Sequence, residues 1–125
     1  MLSTSISMAT IAVRNLSAAK TFYEGTLGLK PTARQQPGTL SYESGSGPVL
    51  VYESQFAGTN KATSATWMVG GDLETIVRDL QSKGVTFEQY DLPGLTYKDG
   101  VHVSPGGSVA WLKDPDGNIL ALVSG

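Results

Sequence analysis

Two aspartates stand two residues apart near the end of the chain, in WLKDPDGNILALV (111–123). Carboxylates so close can divide the work of a general acid and a general base when their surroundings drive their pKa values apart. The residues around them argue instead for a corner. Pro115 suits the second position of a turn, an aspartate caps such a turn through its own backbone, and Gly117 supplies a positive φ. An exposed hairpin turn would also deny the pair the shielding from water that a shifted pKa needs. Asp114 and Asp116 are therefore expected to be structural.

The other residues able to do chemistry are few. Glu53 lies in the apolar run PVLVYES (48–54), where a desolvated carboxylate would be the best general base in the chain. Its plainer reading is an exposed strand end or an ion pair. His102, the single histidine, lies with Tyr97 and near Tyr90 in or beside DLPGLTYKDGVHVSPGG (91–107). Such a loop either sets specificity over a cleft or simply meets solvent. Trp67 and Trp111 read either as core residues or as a pair suited to stacking on a flat ligand. Lys113 would suit an acidic ligand group, although a lysine beside a turn is usually solvated. GSG (45–47) and PGG (105–107) are read as turns, since neither opens a helix or has the spacing of a phosphate-binding loop.

Composition narrows the function classes. Net charge is −2, the pI is near 5.2 and no two basic residues are adjacent, which argues against capture of nucleic acid or of an anionic membrane. The absence of cysteine excludes disulfides, thiol nucleophiles and thiolate metal sites, and it suits a cytoplasmic protein. MLSTSISMATIAV has no basic start and is too broken by Ser and Thr for a signal peptide. No apolar run approaches the ~18 residues that span a bilayer. With 40% apolar and 16% charged residues, a true core is expected.

The elements that must position these residues form a repeat. NLSAAKTFYEGTLG (15–28) has Leu16, Ala19, Tyr23 and Leu27 at helical spacing, Phe22 widening the stripe, Asn15 as N-cap and Gly28 as stop. DLETIVRDLQSKG (72–84) carries Leu73, Ile76, Val77 and Leu80, capped by Asp72 and ended by Gly84. Strand-like runs precede each helix, SISMATIAV and SATWMVG. Three follow each: KPTARQQ, TLSYES and PVLVYES, then VTFEQY, SVAWLKD and NILALVS. Asn15-Leu16 matches Asp72-Leu73 at an offset of 57, and GPVLVYES matches GNILALVS at 70. The extra 13 residues fall in 91–107, which reads as a loop inserted in the second half alone. The expected organisation is a first module over 1–56, a linker over 57–64 and a second module over 65–125.

Strand alternation divides each run into a helix-facing set and a cleft-facing set. Ile11 and Val13 suit the helix side, leaving Met8, Thr10 and Ala12 for the cleft. In PVLVYES, Leu50 and Tyr52 are assigned to the helix side and Val49, Val51 and Glu53 to the cleft. In SATWMVG, Met68 is assigned to the helix side and Trp67 and Ala65 to the cleft. Leu112, Leu120 and Leu122 go inward, leaving Val109, Trp111, Lys113, Ile119, Ala121 and Val123 outward. One bulge would invert any of these strands.

The repeated strand-helix-three-strand pattern, with FY-x3-LGL at 22–29 and DPDGN at 114–118, resembles the vicinal-oxygen-chelate superfamily. That superfamily includes glyoxalase I, extradiol dioxygenases, fosfomycin-resistance enzymes and bleomycin-resistance binding proteins. The resemblance spans nearly the whole chain and implies an α+β fold of two βαβββ modules whose sheets enclose a cleft, commonly in a homodimer. In metal-dependent members, His and Glu or Gln hold a divalent ion from the cleft faces. The matching positions here are Met8, Ala65 and Ala121, all apolar, so no cofactor is expected. The implied function is metal-independent binding of a small organic molecule, as in bleomycin-resistance proteins. The ligand would meet Met8, Thr10, Val51 and Glu53 from the first half and Trp67, Val109, Trp111 and Ala121 from the second. Tyr97 and His102 would reach in from the inserted loop. The alternative is an enzyme of the lyase, isomerase or dioxygenase kind, using a divalent metal through atypical ligands or Glu53 as a metal-free base. A third reading is a module used mainly for dimer formation, its cleft filled by its own side chains.

Overall fold

Asn15 opens the first helix by accepting the Ala18 N–H on its side-chain oxygen at 3.0 Å, satisfying a donor the helix cannot. In this computed structural model, which describes residues 2–45 and 47–124, the helix α1 spans Leu16–Lys20. It then widens into a π turn, Thr21–Thr26, with the Leu27 N–H on the Phe22 carbonyl at 2.9 Å, and stops at Gly28 with φ +74°. The regular stripe predicted over 16–27 is thus interrupted. Ala19 and Tyr23 are buried, and Leu16, Phe22 and Leu27 are half-buried. Helix α2, Leu73–Ser82, enters from a 3-10 turn, Gly70–Asp72, and Asp72 makes no side-chain cap. Leu73, Val77 and Leu80 are buried as the periodicity required, and Gly84 ends the helix with φ +93°.

In each module the helix follows the first strand, which lies parallel to the last. In the first module β1 (Ala9–Val13), β2 (Lys30–Pro31), β3 (Thr39–Ser44) and β4 (Gly47–Glu53) lie in the order β1-β4-β3-β2, with β1 parallel to β4. In the second, β5 (Thr63–Met68), β6 (Thr96–Lys98), β7 (Val101–Ser104), β8 (Gly107–Lys113) and β9 (Ile119–Val123) lie in the order β5-β9-β8-β7-β6, with β5 parallel to β9. The repeat read from the offsets is therefore a repeat of topology. Of the GSG turn, Ser46 lies outside the described residues.

Three local expectations are corrected. KPTARQQ forms a strand only at Lys30 and Pro31; the Thr32 N–H adds one bond to the Ser41 carbonyl at 2.9 Å, and the chain then leaves the sheet. VTFEQY forms no named strand, making one bridge, Phe87 with Leu112, and one bond from the Glu88 N–H to the Trp111 carbonyl at 2.8 Å. The inserted stretch is not a plain loop. It folds into the β6–β7 hairpin, whose two-residue turn has positive φ at both Asp99 (+50°) and Gly100 (+88°), as a type I′ turn requires. That hairpin pairs along β8 at 107–109 and leaves VTFEQY only the far end of the strand.

One core joins the modules. Ile11, Val13, Tyr23, Tyr42 and Val51 from the first cluster with Leu73, Val77, Leu80, Leu112, Leu120 and Leu122 from the second. Both helices and the inner faces of both sheets meet there, so the outer sheet faces look away from it. This fixes the strand phases, and two differ from expectation. Val49 and Val51 lie inward, because Val51 pairs with Ile11 on one side and Leu40 on the other. Leu50 and Tyr52 are outward. In β5, pairing with Leu120 and Leu122 sets Ala65 and Trp67 inward and leaves Thr66 and Met68 outward. Met68 is 79% exposed.

The DPDG turn is no exposed corner. Asp114 is 5% exposed, and its Oδ2 accepts the Tyr23 hydroxyl at 2.7 Å and the Asn118 side-chain amide at 2.8 Å. Its Oδ1 accepts the backbone N–H groups of Asp116 and Asn118, each at 2.9 Å. Asn118 Nδ2 also donates to the Ala12 carbonyl at 2.7 Å, and Asp116 Oδ1 accepts the Arg14 N–H at 3.0 Å. The two aspartates are structural as read, but they clasp the first module to the second rather than only turning a hairpin.

Burial, then the neighbouring Asp114, pushes the Tyr23 phenol well above its ordinary pKa of 10.0. Burial and the Glu24 carboxylate, which accepts the Tyr42 hydroxyl at 2.9 Å, do the same to Tyr42. A phenol whose pKa is raised by folding contributes stability in full below the unfolded value, and that contribution falls away as pH rises past it. The protein should therefore lose stability above about pH 10. Tyrosine absorbance near 295 nm should show the two phenols ionising only together with unfolding. Ionisation of both in the folded state would contradict this.

Candidate functional site

Strand register assembles one wall on the outer face of the second sheet. Cross-strand partners share a face, so Thr66, Ala121 and Trp111 form one row and Met68, Val123, Val109, His102 and Tyr97 form the next. Trp111 and His102 meet edge to face with ring centroids 4.9 Å apart, and Tyr97 meets His102 at 5.0 Å. Tyr90 follows the Phe87–Leu112 bridge and lies over the same face, 5.2 Å from Trp111 and 6.1 Å from His102. The result is a cage of three aromatic side chains around an imidazole with 0% exposure.

Hydrogen bonds define the polarity of this cage. His102 Nε2 accepts the Tyr90 backbone N–H at 2.9 Å. A neutral imidazole that accepts at Nε2 carries its proton on Nδ1. That Nδ1 is buried and has no partner among the described residues, and neither has the buried Tyr90 hydroxyl. Burial chiefly, and Glu88 next, raises the Tyr90 pKa against the opposing pull of Lys113, so the phenol keeps its proton. Two donors thus sit unanswered beneath aromatic rings. A buried donor without an acceptor costs roughly 1–3 kcal/mol, which a water or a ligand acceptor would relieve. Lys113, at the edge, pairs with Glu88 at 3.2 Å.

Of the residues singled out in the sequence, Tyr97, His102, Val109, Trp111 and Ala121 come together here. Met8 and Thr10 lie instead on the outer face of the first sheet, with Leu50 and Tyr52. Val51 is in the core, and Glu53, exposed, shares Val51's face of the sheet, so neither faces a cleft. Trp67 points inward, its indole N–H donating to the Ser44 hydroxyl at 2.6 Å. Thr66, Met68, Leu50 and Tyr52 take outer-face positions that alternation alone does not give them, since the pairing register fixes the phase.

The donors do not fit a divalent ion. Of the positions matched to metal ligands, Met8 and Ala121 lie on outer faces and offer no oxygen or nitrogen, while Ala65 faces inward and leaves Thr66 in its place. His102 already spends Nε2 on a backbone N–H, and Glu53 lies on the opposite face of the other sheet. Among the described residues no three His, Cys, Asp or Glu side chains converge. None of the described helices is long and apolar enough to cross a membrane.

The fold has many counterparts of known structure. A glyoxalase family protein from Enterococcus faecalis is 23% identical, with a TM-score of 0.71 over 98% of this chain and 99% of that one. A bleomycin resistance determinant encoded on the transposon Tn5 is 20% identical, with a TM-score of 0.71 over 96% of this chain and 97% of its own. A lactoylglutathione lyase from Agrobacterium tumefaciens is 13% identical, with a TM-score of 0.72 over 96% and 92%. No curated protein sequence matches the chain. The sequence profile of one family does, over residues 5–122, nearly the full length that carries both modules, the FY-x3-LGL helix and the DPDGN clasp. The chain belongs to the Glyoxalase/Bleomycin resistance protein/Dioxygenase superfamily.

Proposed function

We propose that this protein binds a small organic molecule without a metal, holding it against the aromatic wall of the second sheet. The observation that carries this reading is the cage of Tyr90, Tyr97 and Trp111 around His102, with two buried donors unanswered at its centre. A flat ligand stacks on Trp111 and Tyr97 over the buried imidazole, and a shift of the Tyr90 ring would open His102 Nδ1 and the Tyr90 hydroxyl to an acceptor atom of the ligand. The bleomycin resistance determinant, similar in fold, supports a sequestering role over turnover. Glu53 as a metal-free base draws no support, since it does not share this face.

The ligand site is completed by a second copy of the chain, whose first sheet covers the wall. Met8, Tyr52 and Met68, at 52%, 38% and 79% exposure, stand on the outer faces of the two sheets. Apolar residues placed there favour a two-fold partner.

A thermal-shift screen against catechols, thiols of the glutathione type, glycopeptide drugs and divalent ions tests both parts, on protein whose mass is measured in the same buffer. The expected outcome is a dimer stabilised by an aromatic compound equally with and without chelator, since a ligand stabilises the state that binds it. Stabilisation by a divalent ion alone would sink the metal-free reading, and a stabilised monomer would sink the shared site.

A further inference from the structure

On the inner side of the second sheet, away from the aromatic wall, the modules do not close completely. A cavity of about 320 Å³ remains between them. Leu27, Leu29 and Thr26 from the end of the π turn and Ser44 from β3 form one side. Trp67, Ile76, Leu80 and Leu120 form the other, and the Asp79–Lys83 ion pair (3.3 Å) stands at its rim. The space opens to solvent along one side, and a concave cleft lined mainly by apolar side chains favours an apolar occupant over the water it displaces. Leu27, Leu29, Trp67 and Ile76 are accordingly only half-buried.

The polar groups indicate the chemistry. The Ser44 hydroxyl accepts the Trp67 indole N–H at 2.6 Å, and its own proton has no acceptor among the described residues. We propose that this cavity is a second binding site, for a small apolar molecule carrying one hydrogen-bond acceptor, such as an aromatic ketone or aldehyde. The apolar body fills the space between Leu29, Trp67 and Ile76, and the acceptor takes the Ser44 proton. Because both modules line it, the ligand draws them together. The volume lies at the low end of the range for small-molecule pockets, which suits a compact ligand built on a single substituted ring.

The two tryptophans make the sites separately visible. In a 15N-labelled sample each gives one indole N–H signal, assigned through Trp67→Phe and Trp111→Phe. Titration with acetophenone should shift the Trp67 signal saturably and leave that of Trp111 in place. α-Methylstyrene, of closely similar shape without the acceptor, should bind roughly tenfold more weakly, and Ser44→Ala should weaken acetophenone by a similar factor. Leu29→Phe, which fills the space, should abolish the shift. The site is refuted by an unsaturable or absent Trp67 shift, by a shift at Trp111 alone, or by equal binding of the two compounds. It is equally refuted if the Trp67 signal moves with protein concentration and not with ketone, which would make the occupant a second copy of the chain. These outcomes do not depend on the outer aromatic wall, whose failure would be read at Trp111.

Discussion

Asp114→Ala should lower the unfolding free energy by about 4 kcal/mol, and Asp114→Asn by about 2 kcal/mol. The carboxylate is buried and accepts four donors, two on each oxygen. Removing it strands the Tyr23 hydroxyl and the Asn118 amide away from water, and each orphan costs roughly 1–3 kcal/mol. Asparagine retains an oxygen for the two backbone N–H groups. Its amide nitrogen cannot accept from Asn118, although the Tyr23 hydroxyl can rotate to accept from it. The loss is large against the roughly 5–15 kcal/mol that holds a domain together. Urea denaturation of the wild type, both variants and Tyr23→Phe measures it. A coupling of about 2 kcal/mol between Asp114 and Tyr23 is expected from the double-mutant cycle, since hydrogen bonds to charged groups are the strong ones. An Asp114→Ala cost under about 0.5 kcal/mol, as for an ordinary surface substitution, would return the turn to the role of a plain corner.

Gly58→Ala should cost about 3 kcal/mol or more, although it adds one methyl group to an exterior segment. Gly58 has φ +73°, where an L residue is already strained, and a Cβ there overlaps the Asp116 carbonyl oxygen. The obstacle is backbone on both sides, so no rotamer change relieves it. The chain leading into Gly58 is pinned. Ala57 is 1% exposed, and the Ser54 N–H donates to the Val13 carbonyl at 2.8 Å. Gly94→Ala supplies the control, because Gly94 has φ +80° with nothing within 4 Å of the new carbon. It should cost only about 1 kcal/mol, from the left-handed backbone alone. Equal losses in the two variants, read by the same urea titration, would show that the linker does not press on the turn.

Both substitutions act on a feature that the sequence displayed and whose environment it concealed. DPDG announces a turn because its residue types suit turn positions, whereas its burial depends on Tyr23, ninety-one residues earlier. The same limit recurs elsewhere. The helices were legible because Asn15, Gly28 and Gly84 act locally, and the repeat was legible because parallel offsets preserve topology. The phase of β4 was not, because PVLVY is apolar at every position and alternation has nothing to select; pairing with Ile11 and Leu40 decides it. Trp67 takes the inner face because β5 sets it opposite Leu122 of β9, a register that no pattern in SATWMVG marks. The β6–β7 hairpin was within reach, since Asp99-Gly100 between Tyr97-Lys98 and Val101-His102 is a strong hairpin signal. The density of glycine and proline around it had argued for a loop.

The aromatic wall follows the same division. Trp111 and Ala121 were placed by alternation from the DPDGN turn, whose position in the chain is unambiguous. His102 and Tyr97 were recognised as the polar residues of an insertion, but only the hairpin register sets them beside Trp111. Tyr90 joins through a backbone bond to the imidazole, a contact that residue type does not foretell.

The most direct test of a metal-free aromatic site is the effect of Trp111→Ala on ligand-induced thermal stabilisation, measured in chelator with a compound that raises the Tm of the wild type. At a concentration one hundredfold above its Kd, such a compound contributes about 2.7 kcal/mol to the folded state. This gain should disappear in Trp111→Ala, in a protein that still unfolds cooperatively, and persist in Trp67→Phe. Stabilisation undiminished in Trp111→Ala would contradict the aromatic site.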